Sequence, residues 1–125
     1  MIDILEIRKA IKSLLLTAHP RAYYQVAPKN VQYPYLIFDL PNSINTGEYE
    51  MFMLELDGWD QADDTTTLET MMAVADGQIN KNSVILDLGA DGKAALTFFR
   101  DTRLSLTDEE ERIKRRKYIY QMRFI

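Results

Sequence analysis

Three observations predict an α+β domain: two amphipathic helical stripes, a set of strand-like segments with alternating apolar residues, and two long extended stretches towards the C-terminal end. The expected order is α-β-β-β-α-β-β-β, an antiparallel or mixed β-sheet with two helices packed on one face and a long C-terminal β-hairpin. At 125 residues and 46% apolar composition, with no internal repeat or linker tract, residues 1–125 read as a single domain able to form one core.

The first helix is expected over Ile2 to Ala18, where Leu5, Ile7, Ile11, Leu14 and Leu15 lie along one stripe while Glu6, Arg8, Lys9 and Lys12 fall outside it. His19-Pro20 ends it, because a residue before proline avoids helical angles. Ala22 to Val26 reads as a short strand and Ala27 to Asn30 as a turn; Tyr33 to Leu40 reads as a strand with Pro34 at its start, where proline is tolerated. Pro41 to Gly47 is expected to be a loop. In the next strand, Tyr49 to Trp59, Phe52, Leu54 and Leu56 point to a core, and Met51, Met53, Glu55, Asp57 and Trp59 point away from it.

The second helix is expected over Thr67 to Ile79, with Leu68, Met71, Met72, Ala75 and Ile79 on its buried stripe and Thr66 with Glu69 as a capping box. Val84 to Leu88 follows as a strand and Gly89 to Gly92 as a turn. The last stretches, Ala94 to Leu106 and Arg112 to Ile125, form the hairpin; Tyr118, Tyr120, Met122 and Phe124 alternate with Ile119, Gln121 and Arg123. A dozen extended residues reach ~40 Å, against a radius of gyration of ~14 Å for a domain of this size. The hairpin must therefore curl, bulge or project.

Charge is unevenly distributed along the chain. Between residues 30 and 80 there are ten carboxylates and no Lys or Arg, leaving 15 basic against 9 acidic residues elsewhere, a formal +6. A polarised molecule of this kind can meet copies of itself acid to base, or repel nucleic acid from its acidic side. Arg112-Ile-Lys114-Arg115-Arg116-Lys117 holds five cations in six residues, but in a strand they fall on both faces and make no single basic stripe. Pairing across the hairpin, or with a neighbour's acids, is the expected use of these charges.

The motifs of chemistry are missing. The absence of cysteine excludes disulfides, thiolate metal sites and cysteine nucleophiles, and suits a reducing compartment. Asp57, Asp60, Asp63 and Asp64 do not match a calcium loop, since Trp59, Gln61 and Ala62 stand where two oxygen ligands and a glycine are needed. His19 is the only histidine, and its place at a helix end favours a structural role. No nucleophile elbow, phosphate-binding glycine loop or paired metal-histidine motif is present. The first residues lack the pattern of a signal peptide, and Leu14-Leu15-Leu16 is too short to span a bilayer. No catalytic, metal or cofactor residue is expected, and the chain reads as a soluble intracellular protein.

The chain resembles the tail terminator, or tail completion, proteins of long-tailed bacteriophages and prophages. The resemblance rests on the N-terminal amphipathic helix, the strand Tyr33-Pro-Tyr-Leu-Ile-Phe-Asp-Leu40, and Met51-Phe-Met-Leu-Glu-Leu-Asp-Gly-Trp-Asp60 leading into the helix from Thr66. It extends to Leu96-Thr-Phe-Phe-Arg-Asp-Thr-Arg103 and Lys117-Tyr-Ile-Tyr-Gln-Met-Arg-Phe-Ile125, so it covers nearly the full length. It implies a ring-forming subunit, typically hexameric, that ends tail-tube growth and joins tail to head. The implied partners are further copies of the chain, the tail tube protein and a head-completion or connector protein. DNA would pass through the lumen without specific binding, and no membrane is involved. The implied location is the virion tail, with assembly in the host bacterial cytoplasm.

A head-to-tail ring needs two different complementary patches. The expected patches are Arg112, Lys114, Arg115, Arg116 and Lys117 on one side, and Glu48, Glu50, Asp60, Asp63 and Asp64 on the other. Glu55 and Asp57 are the candidates for an acidic lumen. Three other readings compete: a head–tail connector or neck protein of the same joint, a small ferredoxin-like ligand-binding module or enzyme using Tyr118, Tyr120 or His19, and, last, a nucleic-acid binder using the basic run from Arg112 to Lys117.

Overall fold

The computed structural model describes residues 4–45, 50–87, 89–107 and 110–124, with the side chains at 44, 45, 50, 91, 107 and 124 left aside. Among them the order is α1 (Ile4–Ala18), β1 (Ala22–Tyr24), β2 (Tyr35–Asp39), β3 (Ser43–Asn45), β4 (Glu50–Gln61), α2 (Thr66–Ile79), β5 (Ser83–Asp87), β6 (Lys93–Thr107) and β7 (Ile113–Phe124). The strands form one mixed sheet in the order β1-β2-β4-β7-β6-β5, and β3 pairs with β4. The pairings are antiparallel except for β1 with β2, which is parallel. The α+β reading, the helices on one face and the C-terminal hairpin therefore hold.

Both helices pack on the same side of the sheet. Ile7, Ile11 and Leu15 of α1 and Leu68, Met71, Met72, Ala75 and Ile79 of α2 are buried against Leu36, Phe38, Leu54, Leu56, Phe98, Tyr120 and Met122 from the strands. The α2 stripe is the one expected from its spacing. On α1 the expectation fails at Leu5, which is 50% exposed. The buried positions Ile7, Ile11 and Leu15 recur every four residues, and Leu5 lies off that line.

The loop expected at Pro41 to Gly47 contains β3. Three residues are too few to show an alternation, but Ser43 pairs with Phe52 and so continues the line of β2 along the same edge of β4. The capping box at the start of α2 does not form. Thr66 already lies inside the helix, its amide donates to the Asp64 carboxylate at 3.0 Å, and Glu69 is taken by Arg116. The expected turn after β5 is a short 3-10 helix, Gly89–Asp91, with left-handed backbone at Gly89 and Gly92 (φ 67° and 86°), which glycine accepts without strain.

The long hairpin bulges. Its register shifts between Arg100 and Thr102, which relieves the length of a fifteen-residue strand by bending it. It is no free arm, because β4 accompanies β7 from Phe52↔Met122 to Gln61↔Ile113. On the other side β5 covers only Lys93 to Thr97, so the far half of β6 has no neighbouring strand beyond β7 among the described residues.

Candidate functional site

Alternation along each strand decides which charges share a surface. On the face away from the helices three rows cross β2, β4, β7 and β6: Tyr35-Trp59-Arg115-Leu106, Ile37-Asp57-Lys117-Leu104 and Asp39-Glu55-Ile119-Thr102. No described helix covers this face. It mixes half-buried apolar side chains with a line of opposed charges.

Those charges pair with one another within one chain, although Asp57 Oδ1 and Arg115 Nε are buried without a hydrogen-bond partner among the described residues. Arg115 Nη2 lies 3.2 Å from Asp57 Oδ2, and Lys117 Nζ lies 3.2 Å from Glu55 Oε2 and 3.9 Å from Asp57 Oδ2. Arg115 also sits over the Trp59 ring at 4.7 Å, and Trp59 stacks on Tyr35 at 6.4 Å between centroids. The candidate lumen acids and two of the candidate contact cations thus form a neutral ladder. The sequence blocks are polarised, but antiparallel pairing of β4 with β7 interleaves them. The charges also pair differently from the across-hairpin expectation: the partners of β7 lie on β4 and α2, not on β6.

The helix side takes the remaining candidates. Arg116 follows Gly58 in its row, reaches past the small glycine and donates to Glu69 of α2. Arg112 Nε pairs with Asp63 Oδ1 at 3.3 Å on the surface, and Lys114 donates to the Glu111 carbonyl. Asp60 is buried, 5% exposed, with its Oδ1 accepting from the Gln61 amide at 2.8 Å; its carboxylate belongs to its own strand end and offers no contact surface. Asp63 and Asp64 are exposed. Glu50 opens β4 opposite Asn45, and Glu48 lies outside the described residues.

Burial raises the Asp57 pKa above the ordinary 3.8, more than Arg115 and Lys117 lower it. A raised folded pKa means that the folded state holds this proton more tightly than the unfolded chain does. Stability from this group is greatest below 3.8 and is lost as pH rises through the folded value. Relative to Asp57→Asn, the wild type is expected to lose stability as pH climbs from 3.8, measured by urea unfolding at successive pH values. A wild type that gains on the variant over that window would contradict the burial argument.

One polar cluster escaped the sequence reading. Tyr120, fully buried, donates its hydroxyl to Asp76 Oδ1 at 2.7 Å, while Arg100 Nη1 donates to Asp76 Oδ2 at 2.7 Å. Burial and the neighbouring carboxylate push the Tyr120 hydroxyl far above its ordinary range. This cluster ties α2 to β6 and β7. Asp76 follows the buried Ala75, and a carboxylate beside a buried stripe was the signal available. His19 donates Nε2 to the Pro34 carbonyl at 2.9 Å, shared with Arg21 at 3.0 Å. Tyr118 is buried beneath Arg103. The three groups suggested for a ligand pocket do not converge on a cavity.

The fold and its surfaces define a two-layer α+β domain with one bare sheet face. No family model matches the chain, and no curated protein matches it. Seventeen chains of solved structures are similar in fold. One of them belongs to a structure described as the virion of a native gene transfer agent particle; it aligns with TM-score 0.79 and 11% identity over 97% of this chain and 96% of that one. At that identity the likeness is one of fold.

Proposed function

We propose that this chain is a structural subunit of a phage-like virion and that it acts as a tail terminator: a ring, typically of six copies, that ends tail-tube growth and joins tail to head. The observation that carries this reading is the fold likeness to a chain of the gene transfer agent virion, nearly complete in both directions. Neither chain needs a large insertion to accommodate the other. The bare sheet face supports the reading too. It is partly apolar, and its four ladder charges, Glu55, Asp57, Arg115 and Lys117, cancel one another, so it presents no strong field of one sign to a neighbour or to passing DNA. The partners on this reading are further copies, the tail tube protein and the head-completion or connector protein, and Glu55 and Asp57 belong to the wall of the bore. The described virion is a whole particle, so a neck ring of the same joint draws equal support. Binding to tube protein rather than to head ring separates the two.

The test is light scattering of the purified protein over a concentration series, with electron microscopy of any large species. The expected product is a ring of about six 14.5 kDa subunits with a central hole. A strict monomer that also fails to bind tail-tube ends would remove the reading. A hole lined by the helices would remove Glu55 and Asp57 from the bore while leaving the ring intact.

A further inference from the structure

We propose that the acidic end of the β6–β7 hairpin of one copy docks into a basic groove between α1 and β1 of the next. This inference rests on the ring reading and deepens it by naming the two complementary surfaces. The cations and acids of β4 and β7 cannot serve as both halves of a joint between copies, because they neutralise one another inside each copy. Two other patches keep an excess of one sign.

The first is a groove of about 200 Å3 lined by Leu5, Arg8, Lys9, Lys12, Tyr24 and Phe38. Leu5, Lys9, Lys12 and Leu16 follow one another at helical spacing, so they share the outer stripe of α1; Leu5 is 50% and Leu16 46% exposed. The Arg8 guanidinium lies 3.9 Å from the centre of the Tyr24 ring, which holds its charge in place at the groove floor. Lys9 meets Glu6 at 3.7 Å in an exposed pair, which is weak in water. Lys12 has no ion pair among the described residues. The groove therefore offers fixed positive charge over an apolar floor.

The second patch is the far end of the hairpin. Glu110 and Glu111, in the connection between β6 and β7, are exposed. Asp63 and Asp64 are exposed beside it, across a groove they share with Glu111 and Lys114. By formal charge, Arg112 and Lys114 carry two positive charges against the four negative ones of Asp63, Asp64, Glu110 and Glu111. Leu106 and Ile113 line that groove too and give the patch an apolar flank. An acidic tip with an apolar flank complements a basic groove with an apolar floor.

The tip cannot reach its own groove. In the sheet order β7 stands three strand spacings from β1, ~14 Å sideways. Phe38 lies opposite Leu56, five residues short of Gln61 where β4 ends, which adds ~17 Å along the strands. The contact is therefore between copies. It joins two different surfaces, the head-to-tail kind of contact from which a ring is built when the rotation between copies closes.

Charge reversal with a swap tests the docking. Lys9→Glu with Lys12→Glu, and separately Glu110→Lys with Glu111→Lys, should each raise the concentration for half-assembly about tenfold or more. All four changes in one chain should restore assembly. The chain has no native cysteine, so Lys12→Cys with Glu111→Cys should oxidise to a ladder of covalent oligomers, while neither single variant goes beyond a dimer. Rings indifferent to both reversals, or a four-fold variant that stays dissociated, would overturn the docking and leave the ring reading standing. A wild type that stays a single subunit at every concentration would overturn it too, and binding to tail-tube ends would then decide the ring reading separately.

Discussion

Asp76→Ala should cost about 3 kcal/mol of unfolding free energy, a large share of the 5–15 kcal/mol typical of a domain. The aspartate has two dependants. Tyr120, with no exposed surface, would keep a hydroxyl with nothing to donate to, and Arg100 would lose its carboxylate while remaining half-buried. Tyr120→Phe should cost only about 1 kcal/mol, because Asp76 retains Arg100 and no buried donor is left over. The asymmetry between the two variants is the test. Urea unfolding that shows equal losses would mean that the cluster is a set of separable bonds and not one network centred on the carboxylate.

Gly58→Val should cost about 3 kcal/mol by overpacking. Gly58 is buried on the helix side of β4, where α2 comes closest. A Cβ built there would collide with Met72 Sδ and lie 3.0 Å from Met71 Cε and 3.1 Å from Leu68 Cδ1. Gly58→Ala should cost only about 1 kcal/mol, since methionine side chains can rotate away. A branched side chain has no such escape and must push α2 off the sheet. Adding Met72→Ala to Gly58→Val should recover part of the loss. If the double variant is as unstable as the two losses added, the steric account of Gly58 is wrong.

The parts of the fold that were readable from residues are those whose signal is periodic. Leu68, Met71, Met72, Ala75 and Ile79 announce α2 by spacing alone, and Phe52, Leu54 and Leu56 announce the inner face of β4. A lone glycine in a strand between Asp57 and Trp59 was also a readable sign of close approach. The rest depends on contacts that no local pattern encodes. Ser43 to Asn45 is too short to alternate, and its pairing follows from where β2 has already placed the chain. The parallel pairing of β1 depends on how α1 delivers it. Arg115 and Lys117 could be recognised as charges in search of partners. Their partners were set by which strand lies beside β7, and that strand, β4, is some sixty residues earlier.

That same neighbour relation has a consequence during synthesis. β7 leaves the ribosome after β1 to β6, yet it occupies the middle of the sheet, between β4 and β6. Until it emerges, the nascent chain can pair β1, β2, β3 and β4 on one side and β5 and β6 on the other, with no strand ladder between the two parts. Each part presents a long unpaired strand edge to whatever else is nearby. Closure then demands a contact between Leu54 and Tyr120 across about half of the chain, the kind of distant pairing that slows folding. The two parts of the sheet are joined only once β7 has been made.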